Sequence, residues 1–329
     1  MKRSIKLLTL FLVLIFTFSI FMACGKKDNK IIVNEVTHSV FYAPQYVAME
    51  LGFFKDKNIE IDLVNGGGSD KSMTALISGN ADVALLGPET AVYIYNQGKT
   101  DEISVIAGLT QRDGSILVAK DPDDDFSFEK LKGKTIIGGR KGGMPNMTLE
   151  YVLKQHSLMP NEDVTVDTSI SFNLMAGAFE GSDAEYVPLF EPTASMTQEQ
   201  GKGYIVASIG EYNTSSYTSY MVKKSSIEKD NELFQNFVDA VYQGQKWVFE
   251  HSAEEIAKVV APHCPETSID LLISSVDNYK KIGVWCENPV VKEDDYLNML
   301  DVIEQAGELE KRVDFAEIVD NSLAQNSIN

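Results

Sequence analysis

The chain has 329 residues, 44% hydrophobic and 23% charged, with 48 acidic residues against 29 basic ones and a net charge of −19. This length exceeds the usual size of one domain, so it predicts two domains with a large core. The acidity excludes a basic patch for nucleic acid or for anionic lipid headgroups, because like charges repel.

The first 23 residues differ from the rest. Lys2, Arg3 and Lys6 precede an almost unbroken apolar run from residue 7 to residue 22, which is typical of a secretory signal peptide. The alternative is an uncleaved N-terminal anchor, and both place the remaining chain outside the cytoplasm. Without residues 1–23, 26 basic residues stand against 48 acidic ones, a net charge of −22. Residues 24–30 then form a short polar tether.

The next ninety residues alternate strands with helices. Alternating or short apolar runs predict strands at 31–36, 59–63, 83–86, 103–109 and 116–119. Apolar residues three and four apart predict helices at 45–51, 73–77 and 90–96. Glycine-bearing breaks at 66–70 and 87–88 separate a strand from a helix. Open α/β sheets bind ligands at such strand ends, so these breaks indicate a pocket.

The charged segment 120–125 marks the expected crossing into a second lobe. Strands follow at 135–137, 164–166, 185–187 and 204–208, helices at 147–156 and 173–179, and a second glycine-rich turn at 138–144. Strand 217–223 is expected to return to the first lobe, which helices 233–250, 253–260, 269–279 and 294–305 complete. We therefore expect lobe 1 to comprise 31–119 plus 218–329, and lobe 2 to comprise 120–217. A weak internal similarity supports two similar lobes. The order ALISG, strand, GPETA in the first lobe resembles the order AGAFEG, strand, EPTA in the second.

Four segments carry a family resemblance: VFYAPQYVAMELGFFKDKNIEIDLV, ALISGNADVAL, LKGKTI and AGEL. They resemble the nitrate/taurine/sulfonate group of solute-binding proteins of bacterial ABC importers, which also contains thiamine-pyrimidine binders (SsuA/THI5-like). The resemblance covers nearly the whole mature chain. It implies an α/β, two-lobed periplasmic-binding-protein fold of type II. Each lobe is then a mostly parallel sheet flanked by helices, and two hinge strands let the lobes close on a ligand.

Cys24 follows Ala23 in a segment that resembles the lipobox of bacterial lipoproteins. This implies a lipid on Cys24 that anchors the exported chain to the outer face of the cytoplasmic membrane. The implied partners are a small-molecule solute and an ABC permease with its cytoplasmic ATPase. We expect the protein to be a monomer.

Candidate ligand contacts of the first lobe lie at strand ends. Phe41 or Tyr42 can stack on a flat ring, although either ring alone also suits the core. Gly67, Gly68 and Ser69 offer backbone donors and a helix N-terminus to an anion or carbonyl, or else form a turn without a ligand. The remaining candidates are Pro88, Glu89, Thr90 and Arg112. Arg112 either holds an anionic group or pairs with Asp113.

The second lobe supplies the opposing candidates. Gly142, Gly143 and Met144 form a rim together with Arg140. Glu191 can accept hydrogen bonds from an amino-heterocycle, as the resemblance implies for the thiamine-pyrimidine branch, or it caps the helix that it opens. Tyr217 is a candidate for the hinge side of the cleft.

The sequence favours a binding protein over an enzyme. His38 has no second histidine or cysteine nearby at ligand spacing, so we expect neither a metal site nor a cofactor. Export also argues against the alternative, an enzyme on the same fold that acts on a pyrimidine or related precursor. Cys264 and Cys286 either pair or stay free. Two ligands remain open: a sulfonate-, taurine- or nitrate-like anion, favoured by Arg112, and a thiamine pyrimidine precursor, favoured by Glu191.

Overall fold

The structure, a computed structural model, describes residues 29–99 and 103–329. The expected signal peptide and Cys24 lie outside the described residues. Within those ranges, no helix has both the length and the apolar character needed to cross a membrane.

Two five-stranded sheets form the two lobes, so the expected α/β two-lobed fold is confirmed. The strand order is β2-β1-β3-β10-β4 in the first sheet and β7-β6-β8-β5-β9 in the second. Each sheet has three parallel strands followed by two strands in antiparallel pairing. The strands are β1 Asn29–Glu35, β2 Ile59–Asn65, β3 Val83–Leu86, β4 Ile103–Arg112, β5 Ile116–Ala119, β6 Thr135–Ile137, β7 Thr165–Asp167, β8 Tyr186–Leu189, β9 Tyr204–Ser208 and β10 Thr214–Lys223.

Helices cover both sheets. Those of the N-terminal half are α1 Ala43–Glu50, α2 Phe53–Asp56, α3 Ser69–Ser78, α4 Glu89–Asn96, α5 Met144–Gln155, α6 Met175–Gly181 and α7 Thr193–Glu199. Those of the C-terminal part are α8 Lys224–Lys229, α9 Asn231–Glu250, α10 Ala253–Val260, α11 Ile269–Ile282, α12 Glu293–Gln305, α13 Phe315–Ile318 and α14 Ser322–Ile328. Short 3-10 helices occupy Val40–Tyr42, Phe128–Leu131, Phe172–Leu174, Ile209–Tyr212 and Ala261–His263.

The long C-terminal helices begin and end at capping residues. The Asp230 side chain accepts from Leu233 N at the start of α9, and Ser268 does the same for Leu271 N at the start of α11. Such caps satisfy backbone donors that have no partner inside the helix. Helix α11 ends at Gly283, whose φ of 71° is a left-handed conformation that glycine adopts without strain. Helix α11 contacts both the Val40–Tyr42 turn of the first lobe and helix α7 of the second.

The chain crosses between the sheets twice, at 113–115 and at 209–213. The two crossing segments touch, because Ile209 N donates to Ser115 O at 2.9 Å. Strand β5, expected in the first lobe, pairs with β8 and β9 of the second sheet. The strand pairing thus favours a first crossing at 113–115 in place of residue 120, while the lobe limits as a whole stay a prediction.

Candidate functional site

The strand ends of the two sheets face each other. In the first sheet, β1, β2 and β3 are parallel, so the segments that follow them lie at one edge. Segments after β6 and β8 lie at the corresponding edge of the second sheet. Contacts join these two edges: Ser39 Oγ donates to the Glu191 carbonyl at 3.3 Å, and the Phe41 and Phe190 rings meet at 5.2 Å between centroids. We call the space bounded by these strand ends the interlobe site.

Phe41 is a packing residue of the interlobe site. Its ring makes edge contacts with Phe190, Tyr217 and Tyr279, with centroids 5.2, 5.8 and 5.3 Å away, and 2% of its surface is exposed. A ring engaged on these sides has little face left for a ligand. Tyr42, its neighbour, is 4% exposed, and among the described aromatic rings its ring meets only that of Phe41, so it is the stronger candidate for stacking on a flat solute.

Acidic side chains dominate the interior of the interlobe site. Glu89 is buried, and its Oε2 has no hydrogen-bond partner among the described residues. Burial raises the pKa of Glu89 to about 7. Burial also raises the pKa of Asp113 to about 6, against the opposing effect of hydrogen bonding to Ser115. The Tyr42 hydroxyl has a raised pKa, first through burial and then through the nearby charges of Glu35 and Glu89. These groups therefore form one electrostatic cluster.

Glu35, at the end of β1, is satisfied within the protein. Its Oε2 accepts from Gln45 Nε2 and from the Tyr46 hydroxyl, each at 3.0 Å, and its Oε1 lies 2.5 Å from His38 Nδ1. Burial raises the pKa of Glu35, and these hydrogen bonds partly oppose the rise. His38 is engaged on its other side too, since its Nε2 lies 2.9 Å from the His263 carbonyl. Neither residue presents a free polar atom to a solute.

The glycine-rich turn after β2 uses its backbone donors internally. Gly66 N and Gly68 N donate to the Glu35 and Val36 carbonyls at 2.8 and 3.1 Å, and Gly67 N donates to Asn65 Oδ1 at 3.0 Å. Only glycine fits at Gly66, because a Cβ there would lie 2.2 Å from Ser72 Oγ and 2.4 Å from Asn34 Oδ1. The turn therefore serves close packing. Ser69 begins α3 immediately after it.

The segment after β3 has a similar arrangement. The Thr90 hydroxyl donates to the Gly87 carbonyl at 2.7 Å, and Pro88 precedes the first residue of α4. The Glu89 carboxylate lies over Gly87, where a Cβ would approach its oxygens to 2.0 and 2.4 Å. Gly87 therefore makes room for the Glu89 carboxylate.

Arg112 is the last residue of β4 and directly precedes the first crossing segment. Its Nη1 donates to the carbonyls of Gly210 and Glu211 at 2.9 and 3.1 Å. Asp113, its expected alternative partner, instead accepts from Ser115 N through Oδ1 at 2.5 Å. The guanidinium thus joins one crossing segment to the other.

The rim of the second lobe approaches the first lobe. Gly143 precedes α5, Met144 is its buried first residue, and Gly142 lies against Glu308, whose carboxyl carbon would be 3.6 Å from a Cβ at that glycine. Tyr217 is also buried, on β10 behind the cleft. The nearby charges of Asp113 and Glu89 add to the effect of burial in raising its pKa.

Glu191 is fully engaged by protein groups. Its Oε2 accepts from Ser195 N at 3.0 Å, and its Oε1 accepts from the Ser195 hydroxyl and from Asn278 Nδ2, both at 2.7 Å. The bond to Ser195 N lies in the first turn of α7, as the capping alternative anticipates. As a direct acceptor for a solute, Glu191 is therefore a weaker candidate than Glu89.

Several residues that lie at the site in the structure were not predicted from the sequence. Phe190 directly precedes Glu191 and obeys the same strand-end rule, so it could have been found. Asn34, Ser72 and Asn146 are buried with oxygens that lack hydrogen-bond partners among the described residues, which only tertiary structure reveals. In the same ranges, no three His, Cys, Asp or Glu side chains group to hold a metal ion.

Comparison with known proteins shows which class of protein this chain resembles. Residues 40–255 match the family described as NMT1/THI5 like. YtlA of Bacillus subtilis, whose assigned name is that of a binding protein, is 39% identical over 314 residues, 94% of each chain. The nitrate-binding protein NrtA of Synechocystis superposes with a TM-score of 0.73 at 14% identity, over 91% of this chain and 88% of that one. The aliphatic sulphonate-binding protein SsuA of Escherichia coli gives 0.71 at 14%, over 92% and 99%.

The fold and the facing strand ends are those of a two-lobed solute-binding protein. Within that class, the chain belongs to the NMT1/THI5-like family, since the match covers more than half of the chain. The expected resemblance is thereby confirmed.

Proposed function

We propose that the protein is the extracytoplasmic solute-binding subunit of an ABC importer, which captures a small organic solute between its lobes and delivers it to a membrane permease. The family, the two-lobed fold and the contacts between facing strand ends support this role. The proposal includes export by residues 1–23, lipidation at Cys24 and action as a monomer. It also includes two lobes, 31–119 plus 218–329 and 120–217. The one change to these limits is that β5, which pairs with the second sheet, is assigned to the second lobe.

The solute is a flat amino-heterocycle in our proposal, and the unpartnered Glu89 Oε2 is the observation that carries it. A buried carboxylate without a partner gains a charge-assisted hydrogen bond from an N–H donor, and an aromatic solute can stack on Tyr42. An anion would instead raise the pKa values of Glu89 and Asp113 further, because a like charge disfavours ionisation, whereas an N–H donor stabilises the charged carboxylate. Of the groups that favoured an anion, Arg112 and the amides of Gly66, Gly67 and Gly68 are bonded within the protein, whereas Arg140 lies exposed on the rim of the second lobe.

The groups at the interlobe site favour binding of a solute over catalysis of a reaction. A catalytic site needs an available nucleophile or a positioned acid and base. The His38 imidazole contacts Glu35 and the His263 carbonyl, so both of its nitrogens are engaged. Both described cysteines are free, and burial raises the pKa of Cys286 to about 12, which disfavours a reactive thiolate.

A melting-shift assay tests this proposal. The wild-type protein should be stabilised by 4-aminopyrimidine derivatives and unaffected by taurine or nitrate. Glu89→Gln should weaken the aminopyrimidine affinity by about ten- to a hundredfold, because a charge-assisted hydrogen bond is lost. Glu310→Gln, at an exposed position, is the matched control and should bind as wild type. Stabilisation by taurine or nitrate that persists in Glu89→Gln would contradict the proposed ligand class.

A further inference from the structure

Glu191 is hydrogen-bonded through its backbone and its carboxylate to the first lobe and to helix α11. The backbone N donates to the Tyr279 hydroxyl at 2.8 Å, and the carbonyl accepts from Ser39 Oγ at 3.3 Å. The carboxylate accepts from Asn278 Nδ2 at 2.7 Å, and Ser275 Oγ, whose proton goes to the Leu271 carbonyl at 2.8 Å, lies 3.4 Å from it. We call Glu191, Ser39, Ser275, Asn278 and Tyr279 the Glu191 cluster.

The partners of Glu191 are attached to the first lobe. Helix α11 packs against α10, which packs against α1, and α11 also contacts the Val40–Tyr42 turn beside Ser39. The Tyr279 ring meets the Phe41 ring of that turn at 5.3 Å between centroids. Glu191 itself follows β8 and precedes α7, so it moves with the second sheet. The cluster therefore spans the two bodies that must separate when the cleft opens.

The cluster is dry at its centre. Glu191 is 2% exposed, and both Ser275 and Tyr279 are 0% exposed. Hydrogen bonds to a carboxylate are strong in such surroundings, and an unmatched buried carboxylate is costly. Loss of one donor should therefore favour an arrangement in which water reaches Glu191.

We propose that Glu191 holds the lobes in the closed arrangement and is not a direct contact of the solute. This inference rests on the proposed function, because it explains how the closed solute-bound form is stabilised. Ser195, on the same lobe, orients the carboxylate through its N–H and hydroxyl. The hydrogen bonds of Glu191 with Asn278, Tyr279 and Ser39 then act as the closing contacts. Each opening of the cleft must break all three of them.

Small-angle X-ray scattering and hydrogen exchange of the solute-free protein test the cluster. Asn278→Ala removes one donor from a half-buried position, and Tyr279→Phe removes only a hydroxyl from a packed ring. Both variants should increase the radius of gyration and speed amide exchange in residues 190–197 by about tenfold. Asp277→Ala is the matched control, because Asp277 lies beside Asn278 on α11 and pairs with exposed Lys281 at 2.6 Å. It should leave both quantities unchanged.

Unchanged scattering and unchanged exchange in both cluster variants, with melting showing that they are folded, would overturn the inference. No solute is needed, so this result is independent of the melting-shift test of the proposed function. Opening of the folded cluster variants, together with a wild-type protein that aminopyrimidines fail to stabilise, would reject the ligand proposal and keep the role of Glu191.

Discussion

The Phe41 and Phe190 rings meet edge to face across the cleft, with centroids 5.2 Å apart and an interplanar angle of 78°. Phe41 follows β1 of the first sheet and Phe190 follows β8 of the second. Such edge contacts add to the burial of apolar surface. The same two rings also surround Gly114 in the first crossing segment, so packing at the site and geometry at the hinge are coupled.

Gly114→Ala should destabilise the protein by about 1–3 kcal/mol, because overpacking forces neighbouring rings to shift. A Cβ at Gly114 would lie 2.6 Å from the Phe41 ring and 2.8 Å from the Phe190 ring. Urea unfolding measures the change. Gly177→Ala is the matched control, since a Cβ at that helical position meets nothing within 4 Å. It should be neutral or stabilising by about 0.5–1 kcal/mol. Equal effects of the two substitutions would contradict this packing.

The contribution of Glu89 to the stability of the protein should fall as the pH rises from about 4.5 to about 7. Glu89 has a pKa of about 7 in the folded protein against an ordinary value of 4.5, since burial disfavours its charge. A carboxyl group that binds its proton more tightly when folded contributes stability at low pH, and this contribution is lost as pH passes the folded pKa. Urea unfolding at pH 5 and pH 8 measures the fall, up to about 3 kcal/mol for this group.

Glu89→Gln should remove that part of the pH dependence and make the variant relatively more stable at pH 8. Glu310→Gln should retain the wild-type profile. Burial raises the pKa of Asp113 to about 6, so this residue contributes in the same direction. Asp113 is present in both variants. A pH profile in Glu89→Gln identical to that of the wild type would show that Glu89 is not buried as a neutral acid.

Arg112→Ala should destabilise the protein without abolishing solute binding. The guanidinium holds the Gly210 and Glu211 carbonyls of the second crossing segment, and hydrogen bonds to a charged donor contribute about 1.5–3 kcal/mol each. Unfolding and melting-shift measurements on the same variant separate the two effects. The control is Arg140→Ala, at an exposed position, which should leave stability unchanged. Loss of solute binding at unchanged stability would instead make Arg112 a ligand contact.

Cys264 should react with iodoacetamide before Cys286. Both thiols are free in the structure, so the disulfide that the sequence allows is not formed. Burial raises the pKa of both, to about 12 for Cys286, and the thiolate is the reactive form. Peptide mapping after timed alkylation gives the order of reaction. An unalkylated pair that reacts only after reduction would reveal a disulfide.

Most strands and long helices were predictable because their apolar spacing is local. Helices α2 and α13 have four residues each, too short for such spacing to appear. The role of Arg112, and that of Glu191 beyond capping α7, were not predictable for a different reason. Their partners Gly210 and Asn278 lie 98 and 87 residues away in the sequence. A charged residue at a strand end signals a polar site, but only the tertiary contacts show whether protein or solute satisfies it.

Native mass spectrometry of the protein as purified tests the central claim most directly. We expect a bound small molecule with a basic or amino-bearing flat ring in the wild type, and its loss in Glu89→Gln but not in Glu310→Gln. A bound sulfonate or nitrate that Glu89→Gln retains would contradict this claim.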